Sequence, residues 1–187
     1  MPSMFGHSLW GMAAGAGWAE RPLSGRTLLL AWVCSTAADV DTLGFRLGIP
    51  YEHWLGHRGL FHGILFAVLL ALAAAAASRP DPADGKHRIG LFQLFFFCAF
   101  THIVLDAMSN GGLGVAFFAP FSNQRYFLPW RPLNAVPIGI NQMFSSRWIP
   151  VIFKEIRILV LPSLLLFAAG FTWRRIKAVP KKAKRPA

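Results

Sequence analysis

The stretch GLFHGILFAVLLALAAAAAS, residues 59–78, contains no Asp, Glu, Lys or Arg. A membrane-spanning α-helix needs about 20 predominantly apolar residues, and this run has that length. Two further uncharged runs, residues 89–105 and 158–173, are shorter and can span if their charged flanking side chains reach the interface. The three runs predict an integral membrane protein rather than a soluble globule.

The overall composition favours the same class of protein. Hydrophobic residues make up 55% of the chain and charged residues 14%, whereas soluble domains carry about 25% charged residues. Two weaker segments, residues 1–19 and 27–38, are also uncharged, and their small residues suit close helix packing in lipid. We therefore expect an all-α membrane bundle of about five helices that occupies residues 1–175.

The basic residues predict how this bundle is oriented. Seven of the 19 Lys and Arg follow Trp173, so residues 176–187 are interpreted as a basic cytoplasmic tail that contacts anionic lipid. Binding of nucleic acid is the alternative, but no aromatic or groove-binding pattern accompanies the tail, and no nucleic-acid partner is expected. With the tail inside, twelve Lys and Arg are cytoplasmic and seven lie outside. This bias predicts a bacterial-type inner-membrane protein with its N-terminus outside.

The segment of residues 111–147 falls on the outer side in this topology. It is rich in Gly, Pro and aromatic residues and shows no helical period. Such a segment is typical of an irregular loop that lies on the membrane surface, with its aromatic rings at headgroup level.

Histidines and aspartates gather at the same outer ends of the predicted helices, although the topology was set from Lys and Arg alone. His102 and Asp106 are four residues apart and share one helical face. Ionisable groups at membrane depth are costly and indicate a functional site. A hydrogen-bonded packing role remains the alternative for any one of them. The set comprises His7, Asp39, Asp41, His57, His62, His102 and Asp106.

Nitrogen and carboxylate ligands together indicate zinc, with manganese or iron as alternatives. Seven candidates exceed the needs of one tetrahedral ion, which favours a site of two or more ions. Such sites stabilise the attacking and leaving oxygens in phosphoester hydrolysis. Arg58 and Arg125 stand nearby, and an arginine fork matches two phosphate oxygens. Contact with lipid headgroups is the alternative for both, and Asn110 is a further candidate to reach the substrate.

The motifs occur in a recognisable order: Ala-Asp-Val-Asp (residues 38–41), Gly-His-Arg-Gly-Leu-Phe-His (56–62), Thr-His-Ile-Val-Leu-Asp (101–106) and Ala-Pro-Phe-Ser-Asn-Gln-Arg (119–125). The chain resembles the YdjM-type inner-membrane proteins, a family described as metal-dependent hydrolases. The resemblance implies that the seven residues above bind metal and that Arg58 and Arg125 bind substrate. One departure is Gly63, where the family often has a small hydroxyl residue. The pattern is also distantly similar to the class of zinc-dependent phospholipase C and P1 nuclease.

The expected function is hydrolysis of a phosphoester in a lipid or lipid-linked substrate at the outer face of the membrane. The predicted catalytic groups are Asp39, Asp41, His62 and Asp106. A metal transporter or sensor is one alternative, but residues 65–77 are wholly apolar and offer no polar path. A non-catalytic membrane protein with a structural metal is the other, although structural zinc sites normally have only four ligands.

Overall fold

The computed structural model describes residues 3–18, 23–79, 85–135 and 148–178, and its regular elements there are helical. Extended pairing within these ranges is limited to two isolated bridges, Ser109 with Leu133 and Val115 with Tyr126. The all-α prediction is therefore confirmed for the described part of the chain. The helices are α1 (Met4–Trp18), α2 (Gly25–Thr36), α3 (Ile64–Ala77), α4 (Gly85–Ala107), α5 (Trp148–Glu155) and α6 (Leu161–Ala178).

Two of the helices, α2 and α5, continue directly into a 3₁₀ or a π-helical segment. Ser24 caps α2 by accepting a hydrogen bond from the Thr27 amide, 3.1 Å away. At its other end α2 continues directly as a 3₁₀ segment, Ala37–Leu47, which ends at Gly48 in the left-handed conformation. A π-helical turn, Ile156–Val160, joins α5 to α6. The helix predicted too short at residues 27–38 thus gains length at its C-terminal end.

Two helices are long and apolar enough to cross a membrane, within the described ranges: Gly25–Leu47 and Lys86–Ala107. The helix Ile64–Ala77 is apolar but shorter. These two helices support the prediction of a membrane protein. The bundle of about five embedded helices remains a prediction.

The run of residues 59–78 does not form one helix, and this corrects the sequence-based expectation. Leu60–His62 makes a separate 3₁₀ turn, and Gly63 is extended, with ψ of 149°. The Ile64 amide donates to Phe117 O in the loop of residues 111–135, called the outer loop after the side on which it is predicted to lie. A Cβ added at Gly63 would lie 2.7 Å from Ala119 O, so glycine is what lets this loop approach the backbone. The break turns His62 inward.

The outer loop is irregular as predicted from residue 111 to residue 135. Residues 136–147 lie outside the described residues, as do residues 179–187 of the tail. The helix α6 runs through the expected boundary between residues 175 and 176, and that division of the chain stays a prediction.

The helix α4 is central and packs against α1, α2 and α3. Its inward face combines large and small residues, among them Phe95, Cys98 and Ala99, and meets the small residues Ala31, Ala67 and Ala71 of neighbouring helices. Small side chains at helix crossings bring the backbones close together. This proximity places the outer end of α4 beside α2 and the start of α3.

Gly17 and Gly170 form the closest crossing, between α1 and α6. A Cβ added at Gly170 would lie 2.3 Å from Gly17 O. We expect Gly170→Ala to lower the free energy of unfolding by about 1–3 kcal/mol, because the helices must move apart. Thermal unfolding in detergent measures it. Gly90→Ala on α4 is the control, since its added Cβ meets nothing within 4 Å. Equal midpoints for the two variants would contradict this crossing.

Candidate metal centre

Five polar side chains from separate parts of the chain meet at one buried point. His7 comes from α1, Asp39 from the 3₁₀ segment after α2, His62 from the turn before α3, and His102 and Asp106 from α4. The three histidines and Asp106 have almost no exposed surface, and the side chain of Asp39 is 14% exposed. The structure therefore brings together residues that lie up to 99 positions apart in the sequence.

Asp39, His62, His102 and Asp106, here called the four-donor centre, could hold a metal ion, because their ligand atoms all lie within 4.8 Å of one another. The His62 Nε2 to His102 Nε2 distance is 3.3 Å, and His62 Nε2 to Asp106 Oδ2 is 3.1 Å. Asp39 Oδ1 lies 3.5 Å from His102 Nε2 and 3.9 Å from His62 Nε2. Ligands about 2.0–2.1 Å from a tetrahedral zinc are themselves about 3.3–3.4 Å apart. The spacing fits a tetrahedral ion.

Unpaired polar atoms support the same interpretation. Asp39 Oδ1, Asp106 Oδ1 and both ring nitrogens of His7 are buried, and none has a hydrogen-bond partner in the described structure. A buried polar atom without a partner costs about 1–3 kcal/mol. His7 Nε2 lies 3.4 Å from Asp106 Oδ1, and the His7 ring stacks on His102 with centroids 3.8 Å apart. A cation between these atoms would satisfy the two carboxylate oxygens and His7 Nε2, and His7 is placed to be a fifth donor.

The orientation of His102 is fixed from its far side. Its Nδ1 lies 2.7 Å from the carbonyl oxygen of Ser35 on α2. A carbonyl oxygen only accepts hydrogen bonds, so Nδ1 carries the proton and donates it. Nε2 is then left with a free lone pair that faces the four-donor centre. Sequence reasoning missed Ser35, because a backbone acceptor inside an apolar helix leaves no pattern in the sequence.

Asp41 and His57 form a second group with His62, here called the Asp41 triad, whose ligand atoms also lie within 4.8 Å of one another. His57 Nδ1 and Asp41 Oδ1 are 2.6 Å apart, and His62 Nδ1 lies 2.9 Å from Asp41 Oδ2. Burial lowers the pKa of His57, which favours its neutral form with one ring proton. His62 thus faces Asp41 with one nitrogen and the four-donor centre with the other.

Arg58 is buried, and its guanidinium contacts protein groups on three sides. Its Nε lies 3.2 Å from Asp106 Oδ2, and its terminal nitrogens donate to Gly111 O and Ser109 Oγ. Its backbone is in the left-handed region, with φ of 64°, and its amide donates to Asp41 Oδ2. Arg58 therefore supplies the cation that compensates Asp106. The predicted role in substrate binding stays a prediction.

Arg125 connects the outer loop to the segment before α3 by hydrogen bonds. Its guanidinium donates to the carbonyl oxygens of His57, Tyr51 and His53, and it lies over the Tyr51 ring. Burial lowers the pKa of Arg125 and raises that of Tyr51. Asn110 is exposed, and its Oδ1 accepts from the Ala135 amide. The predicted substrate contacts of Arg125 and Asn110 remain predictions, since both side chains here hold loop structure.

The exposed edge of the four-donor centre is at Asp39. The same 3₁₀ segment carries three apolar side chains that are about half exposed or more, namely Val40, Leu43 and Leu47. Exposed apolar surface beside a polar site is typical of a region that faces lipid or an amphiphilic ligand. The partly exposed donor of the centre, Asp39, therefore belongs to a segment with exposed apolar side chains.

Span-length apolar helices and a buried histidine and aspartate centre define an α-helical membrane protein with a candidate metal site. A family model described as YdjM inner membrane protein matches residues 1–179, and the chain belongs to that family. It is also similar to the inner membrane protein YbcI of Escherichia coli (strain K12), with 28% identity over 178 residues that cover 94% of this chain and 99% of that protein. No solved structure matches.

Proposed function

We propose that this protein is a membrane-bound, metal-dependent hydrolase that cleaves phosphoester bonds in a lipid or lipid-linked substrate. The observation that carries the proposal is the four-donor centre, where nitrogen and carboxylate atoms stand at the separations of a tetrahedral ion. Zinc is the ion favoured by this donor set, with manganese and iron as alternatives. When bound, such an ion polarises a phosphoryl oxygen and activates water.

In this proposal, side chains of the protein accept the proton and bind the phosphate of the substrate. Asp39 is the donor at the exposed edge; in a catalytic site His62, His102 and Asp106 would hold the ion, which leaves Asp39 free to accept a proton. Asp106 is held by Arg58 and faces His7 and His62. Arg58 would bind a phosphate oxygen by exchanging one of its neutral protein acceptors for it. Arg125 would act in the same way from the outer loop.

A lipid substrate is supported by where the centre opens. The apolar side chains of Val40, Leu43 and Leu47 flank Asp39, and they offer an acyl chain a surface next to the polar centre. In this proposal the site lies at the outer face, and the basic C-terminal end meets anionic lipid on the cytoplasmic side. A substrate that already resides in the bilayer then reaches Asp39 by lateral diffusion.

The direct test is hydrolysis in a defined membrane. Protein purified in detergent is loaded with zinc or manganese and reconstituted into vesicles of phosphatidylethanolamine, phosphatidylglycerol and a lipid phosphate. Released phosphate and headgroups are measured by mass spectrometry. We expect turnover that falls to background in a folded His102→Ala/Asp106→Asn variant. Metal loading without release of any phosphate or headgroup from these lipids would contradict the proposed activity on lipid phosphoesters.

A structural metal is the second candidate, because three of the four donors are fully buried and structural zinc sites are closed by four protein ligands. Cobalt substitution distinguishes the two. In a hydrolase, inorganic phosphate added to the cobalt form shifts the visible absorption, because phosphate enters an open coordination position. In a closed structural site the spectrum is unchanged.

A further inference from the structure

We propose that Asp41 and His57 are positioning residues that aim His62 at an ion in the four-donor centre, rather than ligands of a second ion. The inference rests on the proposed metal centre and deepens it. It assigns distinct roles to the two groups of donors, and it predicts one tightly bound ion for each chain.

The separations between donor atoms distinguish the two groups. In the four-donor centre four of the donor pairs are 3.1, 3.3, 3.5 and 3.9 Å apart, around the edge of about 3.3–3.4 Å between ligands of a tetrahedral zinc. In the Asp41 triad the two contacts are 2.6 and 2.9 Å. The first is a short hydrogen bond and the second an ion-pair contact, and both are shorter than the edge between two ligands of one tetrahedral zinc. An ion would have to push the triad apart.

Asp41 is also already engaged by protein donors. Its Oδ1 pairs with His57 Nδ1, and its Oδ2 accepts from the Arg58 amide, 2.9 Å away. The Arg58 backbone is fixed in an unusual left-handed conformation, so this amide cannot turn away without rebuilding the loop. A carboxylate held in this way at both oxygens resembles the outer carboxylate that commonly orients a metal-binding histidine.

The same contact decides which nitrogen of His62 is free. Nδ1 is buried 2.9 Å from Asp41 Oδ2 without a hydrogen bond of regular geometry; an ion on Nε2 would leave the ring proton on Nδ1, where Asp41 is the acceptor that faces it. Nε2 then keeps its lone pair, and it faces Asp106 and His102. The two ligand histidines are thus oriented in the same way, His102 by the Ser35 carbonyl and His62 by Asp41. His57 acts one step further out, because its pairing with Oδ1 holds the Asp41 carboxylate in place.

The experiment compares metal stoichiometry and affinity in the full-length protein. Wild type, Asp41→Asn and His57→Phe are purified in detergent, saturated with zinc, and assayed for bound metal by elemental mass spectrometry. Affinity is measured by competition with a chelator. Glu52→Gln is the matched control, since Glu52 is an exposed carboxylate of the same outer region. Cobalt spectra of each variant report the coordination geometry independently of any activity.

We expect one ion per chain in all four proteins at saturation. Affinity should fall by about 10–100-fold in Asp41→Asn, as for other carboxylates behind a metal-binding histidine, and by less in His57→Phe. The tetrahedral cobalt spectrum should persist, which a merely destabilised fold would not explain.

Two ions in wild type and one in Asp41→Asn or His57→Phe would overturn the inference, because the triad would then be a second metal site. Complete loss of metal from folded Asp41→Asn would overturn it as well, since Asp41 would be a direct ligand. No metal in wild type would overturn the inference together with the metal centre on which the proposed function depends. If Asp41→Asn does not fold, His57→Phe decides between one ion and two.

Discussion

Replacing two donors of α4 in the variant His102→Ala/Asp106→Asn is expected to abolish metal binding while the helical fold persists. The two side chains supply half of the four-donor centre and lie on one face of the same helix. Asparagine keeps the size of Asp106 and leaves an oxygen that can accept from Arg58, so the buried arginine retains a partner. Elemental mass spectrometry of the purified protein measures the loss, and circular dichroism measures the retained helix.

The control for this variant is Glu52→Gln/His53→Ala. It removes one carboxylate and one histidine as well, but both are exposed, and the His53 ring accepts a hydrogen bond from the Leu55 amide, away from the four-donor centre. Its metal content should equal that of wild type. Retention of stoichiometric metal by the His102→Ala/Asp106→Asn variant would show that the ion binds elsewhere, and the four-donor centre would be rejected.

The residues that meet at the site could be predicted from the sequence, because the order and orientation of the helices are enough to bring the ends of those helices together. His7, Asp39, His62, His102 and Asp106 were each placed at one end of a predicted helix, and the structure brings these five side chains together. A helix end is a coarse location, so errors of a few residues in helix boundaries did not matter. His102 and Asp106 are four residues apart within one helix, so their shared face also does not depend on where that helix begins or ends.

The break at the start of α3 could not be predicted from apolarity alone. Residues 59–78 carry no charge, and hydropathy does not distinguish a helix from a glycine-bounded turn. Ala119 O, which packs against Gly63, belongs to a loop more than 50 residues away in the sequence. The helix α3 begins only after this contact, at Ile64. Without the break His62 would continue the helix, and His57 and His62 would diverge.

The hydrogen-bond partners of Arg58 and Arg125 also could not be predicted from the sequence. Arg58 is adjacent to the predicted ligand His57 and Arg125 lies in the predicted outer loop, which suggested phosphate binding, but their donors are directed to Ser109, Gly111 and loop carbonyl oxygens. Backbone acceptors carry no signature in the sequence. A local pattern can therefore indicate that a cation lies near the site, whereas what it touches depends on the tertiary fold.

Arg58→Leu is expected to have the largest effect on stability of any single substitution considered. It leaves Asp106 buried without its cation, with Asp39 also close to the centre. Removal of one partner of a buried ion pair costs about 3–5 kcal/mol. Thermal unfolding in detergent, with chelator present, measures the loss. Arg131→Leu is the control, because Arg131 is exposed and lies over the Phe127 ring, so its loss should change the midpoint little.

Added metal should restore part of the stability that Arg58→Leu removes, and this links the buried charge to the proposed site. A divalent cation among Asp39 and Asp106 compensates the charge that Arg58 no longer balances, and a ligand that binds only the folded state raises the free energy of unfolding. The shift in midpoint on zinc addition should then be larger for Arg58→Leu than for wild type. Equal shifts would mean that the ion and Arg58 do not share Asp106, and the assignment of Asp106 as a metal ligand would fail.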